Sequence, residues 1–152
     1  MKLAEALHLR ADLQKRISQL GERLNANAKV QEGDEPAEDP AALLSELENS
    51  TAELARLIAA INITNSRTVS DAMTLTAMIA EKDALSLRIS LLRNFIGHAS
   101  SKVDRYSSKE IRIRSTVDVR EQQRILDQLS KQLRELDVKI QGLNWTIDLI
   151  EE

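Results

Sequence analysis

Two groups of residues in this 152-residue chain have types and spacing that chemistry would use. The first is Glu5-Ala6-Leu7-His8, where a carboxylate and an imidazole three positions apart share one helix face, as metal ligands do in di-iron bundles. Such a centre needs a second pair, and His98 has no Asp or Glu at positions 94, 95, 101 or 102 to supply one. Asp12 beside His8 reads as a surface charge pair, so no metal and no cofactor is expected. The second group is Lys102, Arg105, Tyr106, Lys109, Arg112 and Arg114, five cations that meet only Asp104 and Glu110. They suit the phosphates of a nucleic acid or another anion, with Tyr106 placed for stacking. The simpler role is a charged edge that discourages aggregation or meets carboxylates of another subunit, because the remaining charge is acidic.

Nothing else offers a reaction. The chain has no Cys, which excludes disulfides, thiolate zinc sites and cysteine nucleophiles. It has no Gly-rich phosphate loop, and no Ser stands in a strand-turn-helix elbow. An enzyme is therefore not expected, and no small-molecule substrate is evident. A net charge of -3 gives the whole chain little attraction for nucleic acid or for an anionic membrane. The start, Met1-Lys2-Leu3-Ala4-Glu5, meets charge before an export signal could form, and apolar runs such as Ile58–Ile61 fall far short of the roughly 20 residues that span a bilayer. A bacterial-type cytoplasmic protein without membrane insertion is the expectation.

The elements that carry these residues are helices. Apolar content is almost entirely Leu, Ile, Ala, Val and Met, and there are only 4 Gly and 2 Pro to break long segments. Leu3, Ala6, Arg10, Leu13, Ile17, Leu20 and Leu24 step by three and four, predicting a first helix over about 2–29. An acidic turn at 31–39 follows, and Asp39-Pro40 caps and opens a second helix over about 40–64, with a seam of Leu44, Leu47, Thr51, Leu54, Ile58 and Ile61. The short connection makes the two an antiparallel hairpin. Residues 66–75, Thr-rich and β-branched about Ser70-Asp71, predict a small β-hairpin, with helix from Thr68 onward as the competing reading. A third helix over about 76–99 carries Met78, Lys82, Leu85, Ile89, Leu92 and Ile96. The period-two pattern at 110–117 predicts a strand needing a partner, either the 66–75 hairpin or the same strand in another subunit. Asp118 and Glu121 then open a helix over about 118–150, on the order of 50 Å long.

The whole reads as one mainly α domain: four heptad-patterned helices arranged as antiparallel hairpins or as a closed bundle, with small β elements between helices two and three and before helix four. Breadth of the seams argues for contacts on two sides, since Leu43 lies beside Leu44, Leu57 beside Ile58, and Leu87, Leu91 and Phe95 beside Ile89 and Leu92. A homo-oligomer is expected. Its candidate seam is the cleanest one, Leu126, Leu129, Leu133, Leu136, Ile140, Leu143 and Ile147, with Trp145 as a core or interface anchor.

A resemblance covers most of the chain. Leu9-Arg10-Ala11-Asp12-Leu13-Gln14-Lys15-Arg16-Ile17, Asn25 to Gly33, Glu38-Asp39-Pro40, Thr74-Leu75-Thr76, Ser115 to Val119 and Asn144-Trp145 resemble, in order, blocks of the septicolysin-like family of small bacterial proteins. The resemblance implies a helical fold and no established activity. The cytolytic role in the family's name fits poorly, because the chain has three aromatic residues and no spanning segment. Ala72 stands where a tight turn would call for glycine.

Overall fold

The computed structural model describes residues 1–101 and 112–151. It is mainly helical, with four helices and one two-stranded antiparallel sheet among the described residues: α1 (Leu3–Ala26), α2 (Pro40–Arg67), β1 (Val69–Ser70), β2 (Met73–Thr74), α3 (Leu75–Ser100) and α4 (Val119–Thr146). The chain divides into two compact units, Met1–Leu75 with Gln141–Glu152, and Thr76–Ile140.

In the first unit α1 and α2 form the antiparallel hairpin that the short connection demands. Arg16 reaches Glu46 and Arg23 reaches Glu38, so residue numbers fall on one helix as they rise on the other. Burial on α1 falls on Leu3, Ala4, Ala6, Leu13 and Leu20, as its periodicity requires. On α2 it falls on Leu43, Ser50, Leu57, Ile61 and Thr64, while Leu44 and Thr51 are exposed. The inward seam of α2 is thus one residue away from the Leu44–Thr51–Ile58 track. Two polar residues, Ser50 and Thr64, occupy the buried track, and Thr64 satisfies its hydroxyl by donating to Ala60 O at 2.8 Å.

Helix ends follow the caps. α1 stops at Ala26, not 29, because the backbone and side-chain amides of Asn27 both donate to Arg23 O (3.1 and 2.8 Å). Asn27 Oδ1 then accepts from Glu38 N–H at 3.0 Å, which fastens the acidic turn to the helix end. Asp39 caps α2 through Ala41 N–H, with Pro40 in the first turn. α2 continues to Arg67, so the β-hairpin predicted over 66–75 shrinks to two residues per strand, paired Val69 with Thr74 and Ser70 with Met73. Its turn is Asp71-Ala72, both at positive φ (49° and 64°), and α3 starts at Leu75, neither at 68 nor at 76.

α4 ends at Thr146 rather than 150, giving about 42 Å instead of 50. The residues beyond it are drawn into extended pairing with the first ones: Leu3 N–H donates to Ile147 O and Leu149 N–H to Met1 O, each 2.9 Å, around an antiparallel Lys2–Asp148 bridge. Ile150 N–H donates to Thr64 Oγ1 at 2.9 Å. Those backbone bonds replace the helical ones that the last turn would have made.

In the second unit α3 and α4 run antiparallel around Ile89, Ile96, Leu126 and Leu129, flanked by Leu85, Leu92, Val119, Ile125 and Leu133. Asp118 Oδ1 accepts from Glu121 N–H at 3.2 Å and opens α4. The Glu121 carboxylate does not reciprocate; it pairs with Arg124, whose hydrogen bonds hold it below the usual carboxylate range. The strand predicted at 110–117 is corrected over its described part: residues 112–117 form no strand, since none of the described residues pairs with them and Ser115 Oγ turns back to bond Val117. Residues 110 and 111 lie outside the described residues.

Candidate functional site

Two of the grooves along the second unit lie on opposite flanks of the α3–α4 seam, and their chemistry is opposite. One is polar, with a volume of about 600 Å³, and is lined by Lys82, Ser86, Ser90, Arg93, Ser130, Arg134 and Asp137 over a floor of Ile89 and Leu133. Lys82, the polar intrusion in the α3 seam, points its ammonium into this flank and donates to Asp137 Oδ1 at 2.7 Å. The other is apolar, about 580 Å³, and is lined by Ala84, Leu87, Arg88, Leu91, Leu92 and Phe95 of α3 with Gln122 and Ile125 of α4.

The apolar flank is the notable one. Leu87 and Leu91 are each 62% exposed and Phe95 45%. Successive four-residue steps stack them in one row on the helix, beside the seam that already packs on α4. Water-exposed leucines are ordinary when scattered; a row of three in a groove with apolar walls is a surface that gains by being covered.

The residues singled out from sequence fall elsewhere. Lys102, Arg105, Tyr106 and Lys109 lie outside the described residues, while Arg112 and Arg114 are exposed and in irregular backbone. The α4 seam is occupied within the chain: Leu126, Leu129 and Ile140 are buried, and Leu133, Leu136, Leu143 and Ile147 are half-buried. Trp145 is 57% exposed, so it is no core anchor. Its ring faces that of His8, with centroids 6.3 Å apart. Glu5, the other half of the Glu-x-x-His spacing, instead accepts Lys2 N–H at 2.6 Å. Among the described residues no group of three His, Cys, Asp or Glu side chains comes together as a metal site would need. The row at Leu87, Leu91 and Phe95 was visible in sequence as breadth of the α3 seam.

The first unit carries a further groove of about 410 Å³, where Met1, Leu9, Leu57, Ile63 and Leu149 meet Glu53, Arg56 and Glu151. No helix among the described residues is long and apolar enough to cross a membrane.

Fold and surfaces together define a mainly helical protein built on antiparallel helix pairs, with one apolar flank open. Residues 10–149 match a family of unknown function, DUF6847, and the chain belongs to that family. It is similar to a functionally unknown conserved protein from Corynebacterium diphtheriae, known from a crystal structure, with 44% identity and a TM-score of 0.92 over 99% of this chain and 99% of that one. No curated protein matches it. These findings overturn the septicolysin-like resemblance: the blocks that suggested it belong to a chain whose matched family is DUF6847, and no septicolysin-like family is shown.

Proposed function

We propose that this chain is a non-enzymatic, self-associating helical protein that pairs through the outer flank of α3. The observation that carries the reading is the exposed row Leu87, Leu91 and Phe95 beside Ala84 and Arg88. Covering the remaining exposed area of one such side chain contributes about 1–2 kcal/mol. Six of them across two copies give on the order of 10 kcal/mol. Association itself costs about 4–15 kcal/mol, so a weak pairing, micromolar or looser, is the expected strength. A cytoplasmic setting belongs to the same reading and rests on the sequence alone.

Mass in solution by light scattering over a concentration series is the test. A dimer that dissociates on dilution, and that Leu91→Asp abolishes while leaving the helical circular dichroism intact, supports the reading. A wild-type chain that stays monomeric to about 1 mM overturns it.

A further inference from the structure

The α3 flank has a hidden regularity. Two tracks of seven-residue spacing run along it, Glu81–Arg88–Phe95 and Ala84–Leu91–His98, and together they step by three and four from 81 to 98. Their apolar members Ala84, Leu91 and Phe95 lie among the polar Glu81, Arg88 and His98, so the tracks form a narrow apolar stripe beside the Met78–Lys82–Leu85–Ile89–Leu92–Ile96 seam that faces inward. A helix with such a stripe beside its inward seam has room for a second helix beside the one it already packs against.

We infer that the occupant of this flank is α3 of a second copy, lying antiparallel about a two-fold axis that passes beside this flank, level with the Ile89–Ser90 peptide. The inference rests on the self-association proposed above and names its geometry. A two-fold axis there pairs each residue with the one whose number completes 179. Under that rule Phe95 comes level with the partner's Ala84, Arg88 with the partner's Leu91 and Glu81 with the partner's His98, while Leu87 and Leu92, about 140° apart around the helix, flank the contact on opposite sides. The six α3 residues that line the apolar groove are Ala84, Leu87, Arg88, Leu91, Leu92 and Phe95. The operation maps this set onto itself, which is what an isologous interface requires of one patch.

Shape and charge agree with that orientation. The largest side chain of the row falls on the smallest, so the gap between helices stays even; a parallel pairing in register would stack Phe95 on Phe95 and leave Ala84 facing Ala84. The stem of Arg88 lies along the partner's Leu91 and leads the guanidinium out to water. At each end an exposed carboxylate, Glu81, comes beside an exposed imidazole, His98, where a parallel pairing would set Glu81 against Glu81.

The absence of native cysteine makes the geometry directly readable. Full-length Glu81→Cys and His98→Cys chains are prepared separately, oxidised with diamide alone and as an equimolar mixture, and scored for disulfide-linked dimer on non-reducing gels. Both positions are exposed, and Leu87, Leu91 and Phe95 remain intact. In the antiparallel pair, like positions lie about 26 Å apart, beyond any disulfide. The mixture is expected to give at least tenfold more linked dimer than either chain alone, and Leu91→Asp in both chains removes it. Linking of each variant with itself overturns the antiparallel register while self-association stands. A dimer by mass with no linking in any sample means that another surface pairs. A monomer by mass overturns both this inference and the reading beneath it.

Discussion

Lys82 Nζ and Asp137 Oδ1 lie 2.7 Å apart, and the contact joins α3 to α4 at a position where the inward seam of α3 is otherwise apolar. Both side chains are about a third or more exposed, so the pair is screened and its net contribution is about 0.5–1 kcal/mol. Asp137→Leu alone leaves the ammonium beside Ile89 and Leu133 and is expected to lower the melting temperature by about 2–4 °C. Lys82→Met combined with Asp137→Leu is expected to restore or raise it, because an apolar pair suits the seam better than a half-dry charge pair. Thermal melts of the two variants check this; a double variant less stable than Asp137→Leu shows that the charge pair outweighs apolar packing at this position.

Thr64 is fully buried, and its hydroxyl both donates to Ala60 O and accepts Ile150 N–H, so one oxygen links α2 to the C-terminal segment. Thr64→Val keeps the shape and leaves that amide without its acceptor, at an expected cost of about 1–3 kcal/mol. Thr51, exposed on the same helix with its hydroxyl on Leu47 O and Glu48 O, is the control, and Thr51→Val is expected to change stability by less than about 0.5 kcal/mol. Urea unfolding of both variants gives the comparison. Amide exchange at Ile150 should rise in the first alone.

How much of this was legible depends on whether local pattern or distant partner decided the outcome. The α3 and α4 seams were readable from the pattern, because Ile89, Ile96, Leu126, Leu129 and Ile140 are large, apolar members of tracks that step by threes and fours, and all are buried. The α2 seam was displaced by one because Leu43 and Leu44 are adjacent and equally apolar, while the buried track continues through Ser50 and Thr64, which hydropathy scores as outward. The end of α4 was not legible at all: nothing in Ile147–Ile150 announces that Met1 and Leu3 will pair with it. The open flank showed as the breadth Leu87, Leu91 and Phe95 add to α3. A helical pattern gives the angle of such a row but not which neighbours cover it, so the sequence singled out the cleaner α4 seam and passed over the exposed row on α3.

The acidic turn gives a prediction in pH. Arg23, through Nε and Nη2, donates to the Glu38 carboxylate and holds its pKa below the usual carboxylate value. A carboxylate depressed in the folded state binds its proton more weakly there than in the unfolded chain, so its stabilising effect is present above the unfolded value of about 4.3 and is lost as pH falls through the depressed one. The difference in melting temperature between wild type and Glu38→Gln should therefore be greatest near neutral pH and shrink toward zero as pH falls through the depressed value. A difference that stays constant from neutral to acid would mean that Glu38 acts through its backbone bond to Asn27 Oδ1 rather than through its charge.

Asp71-Ala72 is a two-residue hairpin turn with both residues at positive φ, the conformation for which Asn-Gly or Asp-Gly is the favoured pair. Asp tolerates the left-handed region through its short polar side chain, but Ala72 at φ 64° carries a Cβ that crowds the backbone, at a cost of about 1–2 kcal/mol. Glycine relieves that crowding and returns part of the gain as extra freedom of the unfolded chain, about 0.4–1 kcal/mol. Ala72→Gly is thus expected to stabilise the protein by about 0.5–1 kcal/mol, a rise of about 1–4 °C in melting temperature. Ala72→Val, branched at Cβ and worse suited to positive φ, should lower it. The two substitutions together separate backbone strain from any side-chain contact, since Ala72 is exposed and a methyl removed there uncovers nothing. If glycine lowers the melting temperature while valine leaves it unchanged, the turn is not strained at Ala72, and the hairpin's geometry must be held by Thr68, whose carbonyl accepts Leu75 N–H at 2.8 Å.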